Sequence, residues 1–394
     1  QSRVLLAPKT HKTAMLHSIH SQVVRHMHLG TPSRSPMHLT LFVPDLLWPD
    51  HEHPQAFDFD QAPALARLLS LADLSITPYG ASDSWESVLA HCFGFHDTQP
   101  PLGALRLLGQ TATADVTQAY GRTLLCADPV NLDFIQQSLV LSPINAATLS
   151  REAVDALIKS LNDEFAGEGS FFASDTSSQW YFAPLDTASH LPNLAACSRL
   201  LGRRIDADES RQVLGREGLH WLNRIQMCLN SHPVNDDRDR HGLPVINSIW
   251  PWGMGTLNST GLNERPEFEL AIGDNDLLRG LCIASNTPHA ESAVAGASCF
   301  VLDTRLADAI AQDDLDAWHV AINALVLTQI EPAMAQLQKG TLSSLTVIAP
   351  DAHGTYRWRL QADHKGLRPS WLQRLLGNTR QKPDLRRLIA TWSR

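Results

Sequence analysis

The chain has 394 residues, with 32 Lys and Arg against 41 Asp and Glu, and a net charge of −9. An apolar share of 43% and a charged share of 19% suit an ordinary globular core and exclude a largely disordered chain. At about 150 residues per domain the length fits two or three domains. No apolar run approaches the ~18 residues of a membrane-spanning helix, which argues against an integral membrane protein.

The charge is unevenly spread. Residues 1–36 carry +5 with no acid, and 356–394 hold 10 basic and 2 acidic residues. Between them, 37–355 hold 17 basic and 39 acidic residues, a net of −22. Such a body repels nucleic acid, whose binding depends on neutralising phosphates, so only the two ends could support it. The basic C-terminal segment, with Trp358, Trp371 and Trp392, is expected to dock on the acidic body instead. The six cysteines form no CxxC pair, which excludes zinc ribbons and fits reduced thiols in a cytoplasmic protein.

Residues 1–36 are rich in His and Ser, and their longest apolar run, 4–7, is too short for a secretory signal. The fold is expected to begin near Met37. What precedes it reads as a disordered leader or as sequence upstream of the true start. The stretch 38–43 reads as a buried strand ending at Pro44. Helical periodicity follows at 62–72, 84–93 and 102–108. Strands at 123–127 and 139–141, a helix over 150–165 capped by Ser150, and strands at 170–173 and 180–185 make a compact α+β block. Beyond it lie helices at 208–231, 275–284 and 315–338, the last with Pro332 as a kink. Strands at 246–250, 299–302, 344–349 and 355–360 alternate with them. Helices at 369–376 and 384–392 close the chain. The alternation predicts an α/β sheet with helices on both faces, formed by 37–117 and 189–394 and interrupted by an α+β insertion over 118–188.

The densest chemistry lies in 232–255. Asn235, Arg238, Arg240 and Asn247 offer donors to an anion, followed by Trp250, Trp252, Gly253 and Gly255 on a strand. The competing reading is that the Asn and Arg side chains staple a helix end to the next strand while the tryptophans fill the core. Asp45, Asp303, Asp351 and His353 stand at strand ends, where an open α/β sheet places its ligands, and together could hold a divalent cation. Against this, Asp351-Ala-His-Gly also reads as a hairpin turn and Asp45 as a helix cap. Ser82-Asp-Ser-Trp-Glu-Ser87 offers nucleophile candidates, Ser87 among them, or simply a capped helix start. Cys228 and His232 lack further nearby ligands for a metal.

The pattern His-Pro-Val-Asn, then Arg, Gly and Pro, then Asn-Ser-Ile-Trp-x-Trp-Gly-x-Gly resembles the RpfE-type regulatory protein family of bacteria. That family is itself similar to the archaeal-type cofactor-independent phosphoglycerate mutases. Cys126-Ala-Asp-Pro-Val130 and Asp276-Leu-Leu-Arg-Gly-Leu281 extend the resemblance, which runs from about Met37 onward. It implies an alkaline-phosphatase-like α/β domain with an inserted α+β domain. The mutases bind two divalent metals and pass a phosphoryl group through a serine. By position, Asp45 corresponds to their first metal-binding Asp, here followed by Leu46 rather than Gly. Asp303 lacks the His expected four residues on, where Ala307 stands. Asp351 is followed by Ala352 in place of His, with His353 displaced by one. Two lost imidazoles are expected to abolish tight metal binding. The resemblance therefore implies a non-catalytic regulatory or ligand-binding relative with no cofactor, whose partner is a small anionic ligand or a protein. The alternative is an active metal-dependent phosphomutase or phosphatase, using Mn or Zn on rearranged ligands.

Overall fold

A computed structural model describes residues 37–47, 62–80, 83–110, 119–135, 138–174, 179–186, 191–258, 265–292, 296–352 and 354–367. The expected leader, His353 and the two closing helices lie outside these residues.

In chain order the strands are β1 (His38–Phe42), β2 (Asp73–Pro78), β3 (Thr123–Ile135), β4 (Ser138–Pro143), β5 (Gly169–Ala173), β6 (Trp180–Pro184), β7 (Arg204–Ile205), β8 (Ser248–Thr256), β9 (Leu270–Ile272), β10 (His289–Ala290), β11 (Cys299–Leu302), β12 (Ser344–Pro350) and β13 (Gly354–Gln361). The helices are α1 (Pro63–Leu71), α2 (Trp85–Cys92), α3 (Leu102–Gln110), α4 (Arg151–Glu164), α5 (Ala207–Leu229), α6 (Pro233–Arg240), α7 (Asp276–Ser285), α8 (Arg305–Ala311), α9 (Leu315–Leu325) and α10 (Glu331–Lys339).

The first sheet has the order β10-β9-β11-β1-β12-β13-β2. Strands β10 to β12 run parallel, and β13 and β2 join antiparallel at one edge. Strand β1 sits at its middle, with Phe42 opposite Leu302 on one side and Ile348 on the other. Alternate residues of β1 face opposite ways, as the pleat requires. Phe42 joins Phe300, Phe93 and Leu278 in one core; Leu41 and Val43 join Val347, Trp318 and Leu65 in another. The sheet therefore carries helices on both faces, as the alternation of strands and helices predicts: α2, α3 and α7 on the first, α1 and α8 to α10 on the second.

The second sheet is antiparallel, β5-β6-β3-β4-β7, with β8 paired to β3 from Thr123↔Thr256 to Val130↔Ser248. It corrects the expectation in two respects. Strand β8 was expected in the α/β sheet, and it extends through Gly253 and Gly255 rather than ending at Trp250. The second sheet also draws on β7 and β8, beyond the 118–188 segment. A strand's period shows that its faces differ, but not which sheet it joins. Helix α4 buries Val154, Leu157 and Leu161 beneath this sheet, capped by the Ser150 hydroxyl on Ala153 N. Phe165, Phe171, Phe182 and Trp221 pack there with ring centroids 4.6–6.2 Å apart.

Pro233 stops α5 and also opens α6 at a first-turn position, where its missing N–H is harmless. Helix α9 continues through a π turn, Val326–Ile330, into α10, with Pro332 in the first turn after it. The stretch Leu315–Lys339 is long and apolar enough to cross a membrane by length and composition. Trp318, Ile322, Leu325, Ile330 and Leu337 are buried in the core, so the helix packs as part of this fold.

Helices α3 and α7 cross backbone to backbone. A Cβ on Gly280 would lie 1.8 Å from Leu105 O, and one on Gly109 1.8 Å from Asp276 O. Gly280→Ala forces the helices apart and is expected to cost about 2 kcal/mol or more, read from urea unfolding midpoints. A midpoint equal to wild type would show that the crossing yields.

Candidate functional site

Asp45, Asp303 and Asp351 all stand at the C-terminal ends of β1, β11 and β12, as their sequence positions predict. The ladder continues past the strands: Asp303 N donates to Phe42 O at 3.0 Å, and Asp45 N to Pro350 O at 2.7 Å. Asp45 is 4% exposed and has φ of 56°, a left-handed conformation that Asp tolerates better than most residues. Its carbonyl accepts from Trp318 Nε1 at 3.2 Å.

Each of the two buried carboxylates is held by an arginine. Arg203 Nη2 donates to Asp45 Oδ1 at 2.9 Å, with both side chains largely buried. Arg305 reaches both oxygens of Asp303, Nε to Oδ1 at 2.8 Å and Nη2 to Oδ2 at 2.5 Å. The π turn aims Gln329 at the same carboxylate, Nε2 to Oδ2 at 3.1 Å. A bidentate guanidinium and an amide occupy the directions from which a cation would bind.

Asp351 does not complete a cage. Its Oδ1 accepts Gly354 N at 2.9 Å and its N donates to Gly354 O, which makes the hairpin turn that its sequence also allows. Burial pushes the Asp45 carboxyl up from 3.8 to about 6; Arg203 opposes that and the nearby Asp351 charge adds to it. Among the described residues, no three His, Cys, Asp or Glu side chains gather so as to hold one metal ion. The residues present do not fit the two-metal site that the resemblance implies: Asp45 and Asp303 have guanidinium partners, and Ala307 and Ala352 stand where that resemblance expects imidazoles.

Ser84 and Ser87 begin α2 as a reciprocal capping box. Ser87 N donates to Ser84 Oγ at 3.3 Å, and Ser84 N to Ser87 Oγ at 2.9 Å. Ser87 Oγ donates in turn to Ser84 O at 2.8 Å, so its proton goes to a carbonyl rather than to a base. Ser87 is thus held as a cap, the alternative that its sequence also allows, with a carbonyl rather than a base as the partner of its hydroxyl. Between the serines, Glu86 is 5% exposed and accepts from Ser198 Oγ at 2.8 Å. Burial lifts its carboxyl from 4.5 to about 7, the Ser198 hydrogen bond opposing.

The 232–255 segment divides. Asn235 Nδ2 donates to Leu229 O and Ile246 O, and its Oδ1 accepts Ile246 N, tying the end of α5 to the approach of β8. Arg238 donates to Pro244 O at 2.8 Å and to Thr148 O at 3.1 Å. Arg240 is exposed and pairs with Asp237 at 3.1 Å. Asn247 accepts Leu132 N and donates to Leu132 O, acting as one more ladder rung on the β3 edge. Trp250 is fully buried, its Nε1 donating to Ala195 O. Asn235, Arg238, Asn247 and Trp250 therefore serve the fold as the stapling reading has it, while Arg240 bonds only within α6. The glycines serve close approach: Gly253 has φ of 65°, and a Cβ on Gly255 would lie 2.6 Å from Pro101 Cα.

Trp252 and Gly253 nonetheless line one cleft with Ser84 and Ser87. Gln99 and Asn193 line it too, and it is small and open, with about 30 Å³ of internal space, room for a water or two. Asn193 bridges it, accepting Met254 N at 3.0 Å and donating to Gln99 at 3.1 Å. Behind the cleft, Arg106 pairs with Asp128 at 2.8 Å, donates to Trp180 O, and lies 5.4 Å from the Trp252 ring. Asp128 also accepts Trp252 Nε1 at 2.6 Å.

Sequence reading missed Arg203, Arg305, Gln329, Glu86 and Arg106. Arg305 had a local signal, since it follows Asp303 by two residues after a strand. Arg203 lies 158 positions from its partner and had none.

No known family profile matches the chain, and no curated protein matches it. Among solved structures it is similar to the PH0037 protein from Pyrococcus horikoshii, at 14% identity and a TM-score of 0.45 over 83% of this chain and 87% of that one. It is also similar to the cofactor-independent phosphoglycerate mutase from Thermoplasma acidophilum, at 14% identity and a TM-score of 0.40 over 84% of this chain and 90% of that one.

Proposed function

We propose that this chain is a non-catalytic regulatory or ligand-binding protein on a scaffold similar to cofactor-independent phosphoglycerate mutase. The observation that carries the reading is the pair of arginine clamps on Asp45 and Asp303. A phosphoryl-transfer site of this kind needs those carboxylates for metal, and needs a serine freed of its proton. Here the carboxylates have guanidinium partners and the Ser87 hydroxyl is tied to Ser84. The RpfE-type resemblance of 232–255 points the same way, toward a regulatory relative.

The ligand proposed is a small anion or a protein partner, met in the cytoplasm and without a cofactor. The cleft between Trp252, Gly253 and the start of α2 is its proposed place. The purified chain, supplied with Mn or Zn, is expected to show no turnover of phosphoglycerate or of a generic phosphate ester above the rate without protein. Turnover that disappears in an Asp45→Asn variant would establish the active reading instead.

A further inference from the structure

The outer face of the helix Leu315–Lys339 combines exposed apolar residues with acids. Its inner face fills a core, yet Val320 is 70% exposed and Leu327 63% exposed, seven residues apart on one side. Leu315, at the start of the helix, is 39% exposed. The same surface is acidic. Residues 306–338 contain Asp308, Asp313, Asp314, Asp316 and Glu331 and no Lys or Arg. Asp313, Asp314, Asp316 and Glu331 are exposed.

The chain supplies a complement. Residues 368–394 hold seven basic residues and one acid. Leu385, Leu388, Ile389 and Trp392 recur at helical spacing, beside Arg386 and Arg387. The residue before this segment, Leu367, lies beside α1. Arg67 of α1 donates to Leu367 O at 3.0 Å, and α1 packs against both the π turn and α10. Twenty-seven residues at up to about 3.3 Å each reach far beyond a 25-residue helix of about 37 Å.

We propose that segment 368–394 docks along this outer face, its apolar side chains over Val320 and Leu327 and its arginines against Asp313, Asp314, Asp316 and Glu331. Charge and apolarity are matched on both sides, which neither a second copy of the same acidic face nor an anionic lipid surface provides. The docked segment screens an apolar strip that would otherwise stay wet, and its hold weakens with salt because the charges are at the surface. The inference is independent of the ligand-binding reading.

The test is cleavage of the full chain by an arginine-specific protease, followed after Arg386 and Arg387. Wild type is expected to be cut slowly, and faster in high salt. Val320→Lys with Leu327→Lys removes the apolar strip and adds repelling charge at exposed positions, so the fold stays intact by circular dichroism. Cleavage is then expected to rise roughly tenfold, because it tracks the population of the released segment. Equal rates in wild type and the double variant overturn the proposal. So does a dimer, or binding to anionic vesicles, that the double variant abolishes while tail cleavage stays the same.

Discussion

Replacing Arg106 by leucine is expected to lower the unfolding free energy by about 3–5 kcal/mol, because it leaves a buried carboxylate without its cation. Asp128 and Arg106 have side-chain exposures of 19% and 11%, and the guanidinium also satisfies Trp180 O. Its Cζ lies 5.0 Å from the centroid of the Tyr181 ring, so the packing between α3 and the second sheet is weakened as well. Converting the whole pair, Arg106→Leu with Asp128→Leu, should recover part of the loss. The residue of the cost, about 1–3 kcal/mol, is the indole N–H of Trp252 left without an acceptor. Urea unfolding measures all three variants. A single Arg106→Leu variant within about 1 kcal/mol of wild type would show that the pair contributes little to the fold.

The second large effect is a pH dependence centred on two buried acids. Glu86 is raised from 4.5 to about 7 and Asp45 from 3.8 to about 6. Both folded values exceed the unfolded ones, so between about pH 4 and 7 the folded state holds protons that the unfolded state has lost. Stability from these groups is present at the acid end and falls as pH rises through the folded values. Each forced ionisation costs on the order of 3 kcal/mol at pH 8. Glu86→Gln keeps an acceptor for Ser198 and removes the charge. It is expected to raise stability at pH 8 by about that amount and to leave it nearly unchanged near pH 5. An equal offset at both pH values would mean that Glu86 is not titrating in the folded protein.

Much of the fold was legible because periodicity reports burial directly. The strand at β1, the capped helix α4, the helices α1 to α3 and the strands β11 to β13 follow from apolar spacing, Ser150 and the Pro-Asp-x-x-Gly turn. Two things were not. Strand β2 alternates only Leu74 and Ile76 with polar residues, and with five of its six residues exposed that short pattern was passed over. Strand β8 was found but placed in the wrong sheet, since its partner β3 is more than a hundred residues away. The candidate site followed the same division. Strand-end acids were found because strand ends are local. The arginines that hold them were missed because Arg203 arrives through tertiary packing from a loop before β7.

The 232–255 segment shows why residue type alone misleads. Asn and Arg side chains bind anions and backbone carbonyls with equal facility, and here the carbonyls were nearer. Asn162 makes the point from another place: its amide accepts Phe171 N at 2.6 Å and donates to Phe171 O at 3.0 Å, closing the free edge of β5 as Asn247 does for β3. Such side chains keep sheet edges from pairing elsewhere, which is a function of the fold and leaves no sequence motif.

None of the six cysteines is in a disulfide, and Cys126, Cys197, Cys282 and Cys299 are buried. Burial pushes the Cys282 thiol up to about 12 and that of Cys92 to about 11, which leaves them poor nucleophiles.

The central claim, that guanidinium groups hold the strand-end carboxylates Asp45 and Asp303 in place of metal, is tested most directly by metal content. The chain is dialysed against Mn or Zn, desalted and assayed for bound metal per chain, beside an Arg203→Met, Arg305→Met variant. The account predicts well under one ion per wild-type chain, with thermal unfolding unmoved by added metal or chelator. Two ions per wild-type chain, with a chelator-sensitive unfolding temperature, would contradict it.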